Sequence, residues 1–153
     1  MSDFFDYSEN SHTSPVAARA LFSRFQDGDW DKLRNFSAVR RFADGTTIYT
    51  AENAERAVYF LSAGKVELVA SNPASFHSPK IEISPGSVFG ILTFLDGHAR
   101  SVSAVAHGAV ETLMLEKTMF ERLAAWHPRI AITILNDLAE TVASRLRLHD
   151  VML

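Results

Sequence analysis

The chain has 153 residues, which fits a single domain built around one hydrophobic core. With 47% hydrophobic and 22% charged residues, it has the composition of a folded globular protein rather than of a disordered segment. A formal net charge of -3 provides no broad basic field for nucleic acid, and the absence of cysteine excludes disulfides, thiolate metal sites and cysteine nucleophiles.

The N-terminal segment is predicted to be a flexible tail followed by a short helix. Residues 1–13 have no periodic apolar pattern, and residues 14–153 are predicted to form the folded domain. Ser14 and Pro15 suit an N-cap and a first helical position, which predicts a helix over "SPVAARALFSRF". The segment carries neither a secretory signal nor an apolar run of the ~20 residues that a membrane helix needs, so a cytoplasmic protein without membrane insertion is expected.

A second short helix is predicted in "GDWDKLRNF". Asp29 has the side chain of an N-cap residue, because its carboxylate can accept a hydrogen bond from a free backbone N–H of the first turn. Trp30, Leu33 and Phe36 recur at helical spacing and are expected to face the core. The first third of the chain is therefore predicted to be helical.

From Ala38 to about Leu115 the pattern changes to the two-residue period of β-strands. Short runs rich in Val, Ile, Tyr and Thr are separated by clusters of Gly, Pro, Asn and Ser. Many short strands at near-regular spacing predict a β-sandwich or jelly-roll barrel. The predicted strands are "TTIYT", "AVYFLSAG", "KVELVA", "KIEISPG", "SVSAVA" and "VETLMLE", with "SNPASFHSP" as a longer hairpin loop.

Two helices are predicted to close the domain. The segment "LEKTMFERLAAWHP" predicts a short helix that ends before Pro128. At about 129–149, Ile134, Leu138 and Val142 lie four residues apart and predict a long amphipathic helix, whereas Arg145 falls outside this stripe. One face is expected to pack on the domain, and another is available to a second subunit in a homodimer. The predicted fold is mainly β with flanking α: a double-stranded β-helix or jelly roll with N-terminal helices and a long C-terminal helix.

The segment "SVFGILTFLDGHARSVSA" contains the candidate ligand site. A short helix that starts at Gly90 would direct the free N–H groups of Gly90, Ile91 and Leu92 at one position, which attracts an anion. Arg100 can add a bidentate contact and Ser101 a hydroxyl donor to the same group. The spacing predicts a phosphate site, while an arginine paired with an acidic residue on an ordinary turn stays the alternative.

Several motifs occur in one register from about Leu21 to Leu148: Gly45, "VYFLSAG", "PGSVFG", "ARSVSAVA", Phe120 and "LAETVASRLR". In this order and spacing they resemble the cyclic-nucleotide-binding domain family, in the form of a catabolite activator protein-like sensor without its DNA-binding part. The resemblance implies a jelly roll whose cassette holds the cyclic phosphate of cAMP or cGMP through backbone amides, an arginine and a serine or threonine. It carries these roles over to Gly90, Ile91, Leu92, Arg100, Ser101 and, through its amide, Val102.

The chain departs from the family pattern at the ribose contact. The family reads Phe-Gly-Glu, in which the glutamate accepts a hydrogen bond from the ribose 2′-hydroxyl, and this chain reads Phe89-Gly90-Ile91. Losing a hydrogen bond to a charged acceptor is worth roughly 1.5–3 kcal/mol, or about one to two powers of ten in affinity. Glu52 and Glu55 also stand where the family usually has turn glycines. The sequence therefore predicts weak binding of cyclic nucleotide, with another small anion or a ligand-free dimerisation or docking module as alternatives.

Other activities find little support in the sequence. It contains no Gly-x-Ser-x-Gly, P-loop or His-Glu-x-x-His motif, so a non-catalytic domain is expected. The alternative fold is a cupin, whose metal is usually held by a His-x-His pair, but the six histidines form no such pair and no metal site is expected. No recognition helix or basic stripe is recognisable, so DNA binding is not expected.

Overall fold

A six-stranded antiparallel sheet with flanking helices forms the domain in a computed structural model, which describes residues 22–70 and 81–148. The strand order is β1-β6-β3-β4, with β2 also paired to β6 and β5 to β3. The elements are α1 (Asp29–Asn35), β1 (Ala38–Phe42), β2 (Thr47–Tyr49), β3 (Ala57–Ala70), β4 (Ile81–Ile83), β5 (Val88–Phe89), α2 (Ile91–Asp96), β6 (Val102–Glu116), α3 (Lys117–Trp126) and α4 (Pro128–Leu148).

The two long strands β3 and β6 form the centre of the sheet. They pair antiparallel along their full length, and the register shifts between Leu61 and Lys65. Gly64 lies inside this irregular stretch with φ at +80°, and a Cβ there would stand 2.3 Å from the Ala109 carbonyl oxygen. Only glycine fits this bulge, and the bulge bends the long ladder.

The central strands are buried on both faces. In β3, Val58 and Phe60 belong to a core cluster with residues of the helices, whereas Tyr59 and Leu61 belong to a second cluster on the other side of the sheet. Alternate side chains of a strand point to opposite faces, so each face contributes to a different cluster. This explains why "AVYFL" is a continuous apolar run instead of an alternating one.

The N-terminal segment is attached to α4 by two buried carboxylates. Asp29 accepts hydrogen bonds from the Gln26 backbone N–H at 2.7 Å and from Arg129 at 2.6 Å, and the Arg129 contact holds the pKa of Asp29 below its usual range. Asp137, on α4, accepts a hydrogen bond from the Phe22 backbone N–H at 2.9 Å. These contacts fix the position at which α4 packs against the domain.

The predicted fold class is confirmed, including the long helix expected at about 129–149, which spans Pro128–Leu148. The strand count was predicted less well. "AVYFLSAG" and "KVELVA" form the single strand β3, and "SVSAVA" and "VETLMLE" form the single strand β6. The glycines at which the prediction divided them lie inside the strands, where they permit bulges and do not end the pairing.

The helix predictions near the N-terminus were correct in part. Leu33 is fully buried, and Trp30 and Phe36 pack against the core as expected. Gly28, however, is the N-cap of α1 and Asp29 is its first residue, and the Asp29 carboxylate accepts hydrogen bonds from the Gln26 N–H and Arg129 instead of capping the helix. Of the helix predicted from Ser14, the described end forms a turn, while the rest, the predicted tail and the "SNPASFHSP" loop lie outside the described residues.

Candidate functional site

A pocket of about 630 Å³ lies between α2, the sheet and α4. Small-molecule sites in proteins commonly have volumes of roughly 300–1,000 Å³, so the pocket has the size of a ligand site. All six residues that the sequence singled out line it. The described residues around the pocket are Tyr49, Leu68, Ala70, Ile81, Gly90, Ile91, Leu92, Thr93, Asp96, His98, Ala99, Arg100, Ser101, Val102, Val142, Arg145 and Leu146.

The predicted short helix at Gly90 is confirmed as α2. Gly90 is its N-cap with φ at 80°, a left-handed conformation that favours glycine, and no side chain caps the helix. A Cβ on Gly90 would lie 2.8 Å from the Arg100 Nη1 atom and 3.1 Å from the Ala57 carbonyl oxygen. Gly90 is therefore required both by its backbone conformation and by the closeness of the arginine.

Arg100 is buried and bound to the backbone on three sides. Its Nη1 group donates a hydrogen bond to the Gly90 carbonyl at 2.7 Å, and its Nη2 group donates to the carbonyls of Glu55 at 2.9 Å and Ala57 at 2.8 Å. Both Nη groups are thus bound to carbonyls, which differs from the bidentate phosphate contact expected from the sequence. Three of the five N–H donors are used in this way, and among the described residues the buried Nε–H and the second Nη1–H have no hydrogen-bond partner.

Tyr49 holds the plane of the Arg100 guanidinium. The guanidinium carbon lies 4.1 Å from the centre of the Tyr49 ring, a cation–π arrangement. Burial raises the pKa of Tyr49 to about 12, so its hydroxyl stays protonated at neutral pH. The aromatic face and the three carbonyls together fix Arg100 as a cross-link between the turn before β3 and the start of α2.

Ile91 belongs to the apolar core as well as to the pocket wall. Its side chain is 3% exposed and lies in the core cluster that also contains Val88 and Phe94. The position of the family glutamate is thus occupied by a packed hydrocarbon that cannot accept a hydrogen bond. By contrast, Leu92 is 57% exposed and Ser101 is exposed, which leaves the Ser101 hydroxyl accessible from the pocket side.

The sequence reading missed Arg145 as a pocket residue. It placed Arg145 away from the apolar stripe of α4, yet the side chain is mostly buried and lines the pocket. Its Nη2 group donates to the Val88 carbonyl and approaches the Ser87 hydroxyl at 3.3 Å. The helical spacing could have identified Arg145 as a pocket residue. Arg145 follows Val142 by three positions and Leu138 by seven, which places all three on one face of the helix.

Glu52 adopts a strained backbone in the turn that supports Arg100. Its φ is 74°, and its N–H donates to the Arg100 carbonyl at 2.8 Å, while the Arg100 N–H donates to the Asn53 carbonyl at 2.7 Å. Of the two glutamates that stand at family glycine positions, Glu52 has this left-handed conformation and Glu55 does not. Only one of the two positions therefore retains the geometric need for glycine.

Replacing Glu52 with glycine is expected to stabilise the domain. A left-handed non-glycine residue costs about 1–2 kcal/mol, and glycine removes this strain. Glycine also gives the unfolded chain more conformational freedom, which offsets part of the benefit, so the net gain in the free energy of unfolding is about 0.5–1 kcal/mol. Thermal unfolding should show a melting temperature higher by roughly 1–4 °C. Glu55→Gly is the control and should lower it, since only the entropic loss applies there. Stabilisation by both glycines would contradict the assignment of strain to Glu52.

The described part of the chain also bears on membrane spanning and on metal binding. None of the helices within 22–70 and 81–148 is both long and apolar enough to cross a membrane. Over the same residues, no three histidine, aspartate or glutamate side chains converge as a metal site would require. The cytoplasmic location inferred from the sequence stays a prediction.

Known proteins resemble this chain in sequence and in fold. The family model for the cyclic nucleotide-binding domain matches residues 39–127. The Cyclic AMP receptor protein of Thermus thermophilus is 29% identical over 133 residues, which are 87% of this chain and 60% of that protein. The chain thus spans about three fifths of the length of this relative.

Two solved structures show the same architecture. The Catabolite Activator Protein of Thermus thermophilus superimposes with a TM-score of 0.71 at 27% identity, covering 86% of this chain and 60% of that one. A cyclic nucleotide-binding domain from Methylobacillus flagellatus superimposes with a TM-score of 0.76 at 18% identity, covering 88% and 76%. The fold is thus that of the relatives named here, not a cupin, and the chain belongs to the cyclic nucleotide-binding domain family.

Proposed function

We propose that this domain is a non-catalytic regulatory sensor that binds a cyclic nucleotide, cAMP or cGMP, with weak affinity. The observation that carries the proposal is that the six cassette residues line one pocket of about 630 Å³, beside an Arg100 Nε that has no partner among the described residues. The phosphate is assigned to the backbone amides of Gly90, Ile91, Leu92 and Val102, the Arg100 Nε and the Ser101 hydroxyl.

The weak affinity follows from what the pocket offers to the two halves of the ligand. Arg100 has no free bidentate fork, since three of its five N–H donors, including both on Nη2, are hydrogen-bonded to carbonyls. Ile91 provides no acceptor for a ribose hydroxyl, and a buried hydroxyl without a partner loses its hydration. Both effects lower affinity without closing the pocket.

The signal is assigned to α4. Val142, Arg145 and Leu146 of this helix form part of the pocket wall, so a ligand contacts α4 directly. A ligand shifts a conformational equilibrium only by its difference in affinity between the two states. Contacts made with one position of α4 and not with another would therefore transmit occupancy to a partner or a second subunit.

The second candidate is a ligand-free dimerisation module of the same fold. It is favoured by apolar side chains on the outer side of the C-terminal helices: Trp126 is 77% exposed, Ile132 59% and Leu135 38%. A homodimer through α4 would cover some of these side chains. In this alternative, Ile91 simply completes the core, and the pocket has no natural ligand.

A thermal-shift titration with each cyclic nucleotide tests the first candidate against the second. For a dissociation constant near 1 mM, about 10 mM ligand stabilises the fold by roughly 1.4 kcal/mol, which should raise the melting temperature by roughly 3–5 °C. Adenosine at the same concentration lacks the phosphate and, with matched sodium chloride, should give no shift. No shift with either cyclic nucleotide, together with a dimer in sedimentation equilibrium, would instead support the ligand-free module.

A further inference from the structure

The pocket contains two largely buried cations and no buried counter-ion among the residues described. Arg100 is 6% exposed, and Arg145 is mostly buried. Within the described residues, the hydrogen bonds of both guanidinium groups go to backbone carbonyls and one serine hydroxyl, and neither has a carboxylate partner. Two unneutralised charges on one small cavity favour an anionic occupant.

The acidic residue on this wall does not neutralise them. Asp96 is the one carboxylate among the described residues that line the pocket, and it is exposed at the end of α2. Its Oδ1 atom accepts a hydrogen bond at 2.8 Å from the backbone N–H of His98, in its own turn. The carboxylate is thus committed to local structure at the rim.

Arg145 is the cation better placed to change partners. Arg100 is held by three carbonyls and stacked on Tyr49, whereas Arg145 has one carbonyl and a distant hydroxyl. Burial lowers the pKa of Arg145 to about 10, so it is still charged at neutral pH but poorly hydrated. A poorly hydrated guanidinium gains more from an anion than an exposed one does.

Most of the remaining wall is hydrocarbon, and Tyr49, Thr93, His98 and Ser101 contribute its other polar atoms. The hydrocarbon side chains come from the sheet, from α2 and from α4, so they surround the two guanidinium groups from several directions. They would contact an apolar body and could not hydrogen-bond to a sugar. The apolar wall residues are Leu68, Ala70, Ile81, Ile91, Leu92, Ala99, Val102, Val142 and Leu146.

We propose that the pocket recognises small organic anions with an apolar body, and that Arg145 of α4 is the residue that binds their charged group. This inference rests on the proposed function only in placing the ligand in this pocket, since it names a wider ligand class than cyclic nucleotides. An aromatic or branched hydrocarbon bearing a carboxylate, sulfonate or phosphate matches both the charges and the lining.

Two fluorescent probes of nearly the same shape test the proposal. The first is 8-anilinonaphthalene-1-sulfonate, an apolar anion, and the second is N-phenyl-1-naphthylamine, the same body without the sulfonate. The native protein is expected to bind one equivalent of the anion about tenfold or more tightly than the neutral probe. Equal affinity for the two probes would overturn the proposal, and this comparison requires no variant.

Variants then locate the contact. Arg145→Met keeps the length of the side chain. It should lower the affinity for the anionic probe about tenfold and change the affinity for the neutral probe by no more than about twofold. Arg147→Met, which removes an exposed arginine from the same helical turn, should change neither affinity. Arg145→Lys should retain most of the binding, and it replaces the Met variant if that one is unfolded by circular dichroism. Unchanged binding of the anion by Arg145→Met would show that Arg145 only tethers α4.

Competition with cAMP separates this inference from the proposed function. Displacement of the anionic probe by millimolar cAMP would support both, because the two ligands then share the pocket. If cAMP does not displace the probe and Arg145→Met still weakens its binding, the cyclic-nucleotide proposal fails and the wider ligand class stands. If cAMP stabilises the protein and the anionic probe does not bind, the reverse holds.

Discussion

Replacing Arg100 with methionine is expected to lower the free energy of unfolding by about 3 kcal/mol and to abolish stabilisation by cyclic nucleotide. Three backbone carbonyls, those of Glu55, Ala57 and Gly90, lose their guanidinium donor. A buried acceptor left without a partner costs roughly 1–3 kcal/mol, and removal of the unpartnered Nε offsets part of the total. Urea unfolding followed by circular dichroism measures the change.

Arg122→Met is the matched control, because Arg122 is an exposed arginine on α3 and its loss should stay within about 0.5 kcal/mol. If Arg100→Met unfolds at the same urea concentration as the native protein, the carbonyl contacts contribute no stability and Arg100 acts on the ligand alone. If stability falls as expected, loss of ligand binding in an Arg100 variant does not by itself identify a phosphate contact. The reason is that the same substitution removes the Arg100 Nε donor and destabilises the fold.

Replacing Ile91 with glutamate is expected to raise the affinity for cAMP about tenfold or more and to leave the affinity for 2′-deoxy-cAMP unchanged. The new carboxylate would accept the ribose 2′-hydroxyl, a charge-assisted hydrogen bond worth roughly 1.5–3 kcal/mol. The native protein should bind the two nucleotides within about twofold, because Ile91 makes no use of the hydroxyl. Isothermal titration calorimetry with both nucleotides measures the ratio.

The ratio is the informative quantity because the substitution also acts on the core. Ile91 is 3% exposed, and burying a carboxylate there should reduce stability. A general loss of folded protein lowers the apparent affinity for both nucleotides equally and leaves the ratio of the two affinities unchanged. Ile91→Gln is the control: a neutral acceptor should move the ratio in the same direction by a smaller factor. A glutamate variant whose two affinities change in parallel would refute the assignment of Ile91 to the ribose.

The two arginines of the pocket have different structural roles, and the family pattern alone does not indicate this difference. Arg100 is tied to the backbone of the strand and the helix start by three carbonyls, whereas Arg145 belongs to α4 and donates to one carbonyl, that of Val88 in β5. A group that binds Arg145 therefore acts on the helix that carries the exposed apolar face. This gives the proposed ligand class a direct connection to the proposed dimer surface.

Much of the architecture was predictable because it depends on residues close together in the chain. The two-residue period identified the sheet region, Gly90 identified the start of α2, and the stripe of Ile134 and Leu138 identified α4, where both side chains are fully buried. The division into strands was less predictable, since glycines such as Gly64 end a strand in one context and form a bulge within it in another. Which of the two occurs depends on the partner strand.

The direction of the two guanidinium groups required the assembled fold. The sequence indicated Arg100 and the amides of α2 as one site, and Arg100 and the first residues of α2 do line the same pocket. It did not indicate that Arg100 would donate hydrogen bonds to the carbonyls of Glu55 and Ala57, or that Arg145 would donate one to the carbonyl of Val88. These acceptors are backbone atoms that every residue has, and they become specific partners only when strand register and helix packing place them within 3 Å of a donor. A sequence records which side chains are present, whereas the acceptor that satisfies a buried charge is set by the distances that folding creates.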